Sequence, residues 1–101
     1  MEEKKTINFT FVPDDSSDVP RLYSNLCQIQ HSPFDFTLTF CDMIPPSEKD
    51  IQTAQATHVV KAPVRARLVL PVALIPTIVT LLQENFRMHQ EAFGPPKGGM
   101  H

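Results

Sequence analysis

HSPFDFTLTF, residues 31–40, contains a turn and the strand that leaves it. Phe36, Leu38 and Phe40 alternate with Thr37, Thr39 and Cys41, the period of two that marks a strand with one apolar and one wet face. Ser32-Pro33-Phe34-Asp35 supplies the corner. A two-residue hairpin loop favours glycine or asparagine at positive φ, which Ser32-Pro33 lacks, whereas a four-residue type I turn accepts proline at its second position. The resulting register sets His31 opposite Phe36, Ile29 opposite Leu38 and Cys27 opposite Phe40. His31 and Asp35 are the residue types of a general base and its orienting carboxylate. No serine, cysteine or second acid is placed beside His31 with any specificity, so the stretch His31, Ser32, Pro33, Phe34, Asp35 reads as a register-setting turn and not as a catalytic site. The same register points Cys27 inward and Cys41 outward, which disfavours a disulfide between them and implies reduced, packed thiols.

On either side of this hairpin the pattern extends. Ile7, Phe9 and Phe11 alternate with polar residues and read as a first strand, 6–12. VPDDSSDVP (12–20) gathers turn formers and reads as a loop. Strands at 22–31 and 36–43 follow, then a polar connection, IPPSEKDIQTAQ (44–55), with a short helical turn after Ser47. A fourth strand, 58–70, turns Val60, Ala62, Val64, Ala66, Leu68 and Leu70 inward. Pro63 within it, unable to donate to a ladder, implies an edge or a bulge. From Leu70 the period becomes helical: Ile75, Ile78, Val79, Leu82, Phe86 and Phe93 recur at spacings of three, four and seven over a helix of 72–93. Pro71 and Pro76 both suit a first helical turn and predict a kink or a late start, and Phe93-Gly94-Pro95 predicts a glycine cap. The expected fold is α+β: a four-stranded, mainly antiparallel sheet with the C-terminal helix packed on one face, in a single domain of 1–94 followed by a flexible tail, 95–101.

Composition narrows the function. At 101 residues, 42% hydrophobic and 20% charged, the chain matches a globular domain, and a net charge of −2 gives no general attraction for nucleic acid or anionic lipid. No apolar run reaches membrane-spanning length, and Met-Glu-Glu-Lys-Lys lacks the apolar segment of a secretory signal, so a cytoplasmic location is expected. Cys27 and Cys41 have no zinc spacing with the histidines, and the glycines lie only near the C-terminus, so no phosphate loop, cofactor or metal is expected and enzymatic activity has the least support.

The chain has more apolar surface than one such fold can bury. Four strands make a face nearly 20 Å wide, against about 10 to 12 Å for a helix. Leu74, Leu81 and Met88 form a second stripe about 100° around the helix from the first. Two stripes imply two partners: the sheet, and a second copy of the helix in a homo-oligomer, with a twofold dimer the first expectation. A stripe left open would instead form a groove for unfolded clients, and scattered surface hydrophobes are the plainer alternative. Lys61, Arg65 and Arg67 form a row that is able to face anions; edge protection accounts for it as well, and leaves nucleic-acid binding the weaker reading.

Tyr23-x-Asn25, the turn His31 to Phe36, the strand Arg65 to Pro71, the helical Gln83-Glu84-Asn85 and Phe93-Gly94 resemble the small bacterial proteins grouped as domain of unknown function 3467. Pro76 and the apolar VALIP stretch (72–76) depart from that pattern. The resemblance implies no activity. The order of strands and helix is also similar, at the level of fold, to SecB-type export chaperones, which would imply a holdase. The sequence therefore leads to a non-enzymatic, oligomeric protein-interaction or assembly module, with a SecB-like holdase and a nucleic-acid accessory protein as the alternatives.

Overall fold

The computed structural model describes residues 7–16 and 18–95. In chain order it contains β1 (Leu26–His31), β2 (Asp35–Cys41), α1 (Glu48–Thr57), β3 (Val64–Pro71), a 3-10 turn (Val72–Leu74) and α2 (Ile75–Phe93). The fold is α+β with an antiparallel sheet and a C-terminal helix, but among the described residues the sheet has three strands, ordered β1-β2-β3, in place of the expected four.

The hairpin register is the one its turn chemistry implies: His31 pairs with Phe36, Ile29 with Leu38 and Cys27 with Phe40. Ser32 builds the corner. Its hydroxyl donates to the Asp35 carboxylate (2.9 Å) and accepts the backbone N–H groups of Phe34 (3.1 Å) and Asp35 (3.2 Å), while its own N–H donates to the Asp35 carbonyl (2.9 Å). The Asp35 amide thus goes to a side-chain oxygen, the local competition at which serine is effective.

Strand β1 starts at Leu26, not Leu22; just before it the Asn25 N–H still donates to the Cys41 carbonyl (3.1 Å), but two side chains make the remaining bonds. The Ser24 hydroxyl donates to the carbonyl of Cys41 (2.7 Å). The Asn25 amide takes the Met43 main chain on both sides, accepting its N–H (2.7 Å) and donating to its carbonyl (3.4 Å). This closure also ends β2 at Cys41, two residues before the expected Met43. Strand β3 starts at Val64 and not at His58. Phe40 pairs with Ala66 but Cys41 with Val64, so Arg65 occupies a bulge and Val64 changes face relative to the alternation. Pro63 precedes the bulge and gives only its carbonyl, to the amide of Asp42 (3.0 Å).

The strand expected at 6–12 is not formed over residues 7–12; Thr6 lies outside the described residues. Phe11 is 96% exposed. Alternation states which side of a segment is suited to burial, but not whether the segment pairs with a neighbour. The segment after Ser47 forms a full helix, α1, started by a reciprocal capping box: the Ser47 hydroxyl accepts the Asp50 N–H (3.1 Å) and the Asp50 carboxylate accepts the Ser47 N–H (3.0 Å). That bond to the Ser47 amide, then the one to its hydroxyl, holds the Asp50 carboxyl below its ordinary value.

Helix α2 begins late, at Ile75, with Pro76 in its first turn and the 3-10 turn absorbing Val72 to Leu74. It ends at Gly94, whose φ of 81° and ψ of −174° lie in a region essentially reserved for glycine. Pro95 follows as a bend; the tail expected at 95–101 otherwise lies outside the described residues. The helix does not lie on the sheet. Among the described residues its only packing of any extent is against the 3-10 turn that leads into it, and none of its residues is buried. The cause is the connection: the chain passes from extended Pro71 (ψ 149°) straight into helical backbone at Leu74 and Ile75 and continues away from the sheet. The molecule measures 77 × 35 × 31 Å and has a radius of gyration of 20.3 Å, whereas a compact chain of this length has a radius of about 13 Å.

Candidate interaction surfaces

The sheet register gathers the apolar side chains of three strands into three rows across one face. These are His31, Phe36 and Leu70; Ile29, Leu38 and Leu68; and Cys27, Phe40 and Ala66. Phe36, Leu38 and Phe40 on the central strand are half-buried by their neighbours, while Ile29 and Leu68 on the outer strands are 59% and 49% exposed. Among the described residues no layer covers this face. The one buried residue among those described is Cys41, which the sequence pointed outward, while Cys27, expected to pack inward, is exposed; both thiols are free. The inversion has a simple cause. The apolar face lacks its covering layer, whereas Cys41 sits on the other face beside the bulge, near Leu26, Val60 and Ala62.

His31 closes the first row, its ring stacked on Phe36 at 5.6 Å and 29°. The Asp35 carboxylate is engaged by the Ser32 hydroxyl. The residues His31, Ser32, Pro33, Phe34 and Asp35 therefore come together as a hairpin corner, with Phe34 projecting into solvent.

Along α2, Leu74, Leu81 and Met88 are all exposed, as are Val79, Leu82, Phe86 and Phe93 of the first stripe. With the helix bounds in hand, the two stripes resolve into two seams with alternating spacings of four and three residues. One is Ile75, Val79, Leu82, Phe86, His89 and Phe93; the other, about 100° away, is Leu74, Ile78, Leu81, Asn85, Met88 and Ala92. The remaining arc is polar and contains the ion pair of Arg87 with Glu91 (2.9 Å). Sequence reasoning missed Asn85 as a member of a seam, since a polar residue does not register in an apolar count. Its Nδ2 donates to the Leu81 carbonyl (2.8 Å).

The basic row is only partly assembled. Arg67 pairs with Thr39 on the polar face of the sheet and, with Lys61, lines a shallow cavity of about 410 Å3 whose other polar walls include Gln28, Gln30 and Thr37. Arg65 is in the bulge and is not among the lining residues. Among the described residues, no three His, Cys, Asp or Glu side chains gather as metal ligands, and no helix is long and apolar enough to cross a membrane.

A family model described as "Protein of unknown function (DUF3467)" matches residues 1–97. The chain belongs to the DUF3467 family. The turn and the Asn25 clamp account physically for two of the motifs through which the sequence resembles DUF3467 proteins. Neither the curated proteins nor the solved structures yield a match to this DUF3467 chain, so the likeness to SecB-type chaperones gains no support from them.

Proposed function

We propose that this protein is a non-enzymatic, cytoplasmic interaction module that works as a homo-oligomer. The observation that carries this reading is uncovered apolar area. The chain exposes 9863 Å2, whereas a compact monomer of 11.4 kDa exposes roughly 5,800 Å2. The excess, about 4,000 Å2 per chain and so about 8,000 Å2 for two, is ample for an obligate interface, which buries from roughly 2,000 to more than 5,000 Å2 summed over both partners. Part of it lies on the sheet face and on both seams of α2, where Ile29, Leu68, Leu81, Leu82 and Phe86 are exposed, and part lies along the segment ahead of β1, residues 7–16 and 18–23, which exposes Phe9 and Phe11. The apolar part that lies on regular structure is what an interface buries. The two free thiols, on opposite faces of one hairpin, suit a reducing compartment.

Sedimentation equilibrium of the purified chain at micromolar concentration tests the proposal. The expected result is a mass of at least twice 11.4 kDa; a single species at the monomer mass refutes it. The same open face is what a holdase would offer to unfolded clients. Suppression of client aggregation that is lost in Leu81→Glu, with the assembly intact, would favour that second reading.

A further inference from the structure

We infer that two copies exchange their C-terminal helices: the seam Ile75, Val79, Leu82, Phe86, Phe93 of one copy lies on the apolar sheet face of the other, and the seam centred on Leu81 and Asn85 lies against its counterpart. This rests on the oligomer proposed above and specifies its architecture.

Three observations select the second copy as the occupant. The first is dimensional fit. Helix α2 has 19 residues and is about 28 Å long, and β2 and β3, with 7 and 8 residues, are about 24 to 27 Å long. Three strands span about 14 Å, close to the 10 to 12 Å width of a helix, so one helix covers one such face. The second is the connection. Pro71, the 3-10 turn and Pro76 carry α2 away from its own sheet without a loop in which to reverse, so the face of β1, β2 and β3 is left open to the same helix of another chain.

The third is the chemistry of the second seam. In a twofold dimer in which each helix covers the partner's sheet, the two helices are neighbours, and a seam of Leu74, Ile78, Leu81, Met88 and Ala92 at alternating spacings of four and three is what their contact needs. Asn85 near its middle is the kind of polar residue that fixes register in such a contact. One hydrogen of its amide is used on Leu81; the other hydrogen and Oδ1 remain to pair reciprocally with Asn85 of the other copy. The polar arc, with Thr80, Glu84 and the Arg87–Glu91 pair, is left facing water.

The test uses the full-length chain. Uniformly 13C-labelled and unlabelled protein are mixed, unfolded, refolded together and examined by isotope-filtered NOE spectroscopy, which records only contacts between copies. Exchange predicts intermolecular NOEs from Leu82 and Phe86 to Leu38 and Leu68, together with NOEs between Leu81 and Met88 of the two helices. An oligomer whose intermolecular NOEs join only helix to helix or sheet to sheet overturns the exchange and leaves the assembly reading standing. A species of monomer mass, with Leu82 to Leu38 contacts only within one chain, overturns both. Asn85→Leu provides a second readout. A broadened distribution of oligomer sizes is expected; a single sharp dimer indistinguishable from the wild type overturns the placement of Asn85 at the helix contact.

Discussion

Replacing Leu82 with alanine is the sharpest probe of the seam that faces the sheet. The substitution removes three carbons, each worth about 0.8 kcal/mol when buried, or about 2.4 kcal/mol for full burial. In the isolated chain Leu82 is 66% exposed, so about two thirds of that, near 1.6 kcal/mol, is gained only on association. A twofold interface contains the residue twice. The dimer should therefore lose about 3 kcal/mol, a weakening of Kd by roughly 200-fold at 1.4 kcal/mol per factor of ten. Glu84→Ala, in the middle of the polar arc and just over half a turn away, should change Kd by less than about threefold. Both substitutions favour helix slightly or leave its propensity nearly unchanged, so altered helicity does not explain a difference between them. Sedimentation velocity over a dilution series measures both constants. Equal shifts for the two variants, or none for Leu82→Ala, would refute the assignment of this seam.

Other outcomes follow from features of the single chain. Ser32→Ala removes three hydrogen bonds from the hairpin corner and should cost about 1 to 2 kcal/mol in urea denaturation at fixed protein concentration; a loss below about 0.3 kcal/mol would mean that Pro33 and the strand pairing set the turn alone. The Asp50 carboxyl is held low by the Ser47 amide, so its contribution to α1 is complete above the ordinary aspartate pKa and disappears as the pH falls through the lowered value of the folded state. NMR shifts of residues 48–57 should accordingly lose helicity below about pH 4 in the wild type, and Asp50→Asn should flatten that response; identical titrations would assign the loss to another group. Cys27 lies in the open apolar face. Its rate of reaction with a thiol reagent should fall as protein concentration rises through Kd, and a rate independent of concentration would show that the face stays open.

The parts of the fold that were legible in the sequence are those whose determinants are local. Pro33 and the alternation from Phe36 to Cys41 specify a register that the structure reproduces pair by pair. Gly94 announces the end of α2, and the two prolines its delayed start. The errors arise where the outcome depends on a neighbour. The apolar alternation at Ile7, Phe9 and Phe11 is as regular as in β2, yet no strand forms over residues 7–12: the pattern shows which side is suited to burial and leaves the pairing partner unspecified. Val64 was assigned to the wrong face because a bulge at Arg65 resets the parity, and Pro63 gave only a hint of it. Helix α1 was read as a single turn because its few apolar residues establish no period; the signal that mattered was the Ser47 and Asp50 cap. The two stripes of α2 are evident in the sequence, but the first, expected on the chain's own sheet, does not lie there.

Strands β2 and β3 are antiparallel neighbours, a pair that a few residues suffice to join, yet their connection carries the whole of α1. That helix buries none of its residues, and its start is secured by its own first turn. The sheet therefore places few demands on the length or content of this crossover, and neither does the face to which α2 is assigned. It is the position at which the chain is able to accept insertions, fused peptides or a lineage-specific extension while both halves of the framework keep their geometry. Variation among relatives should accumulate there, and an affinity tag placed after His58, beyond the end of α1, should leave the rest of the molecule unaltered.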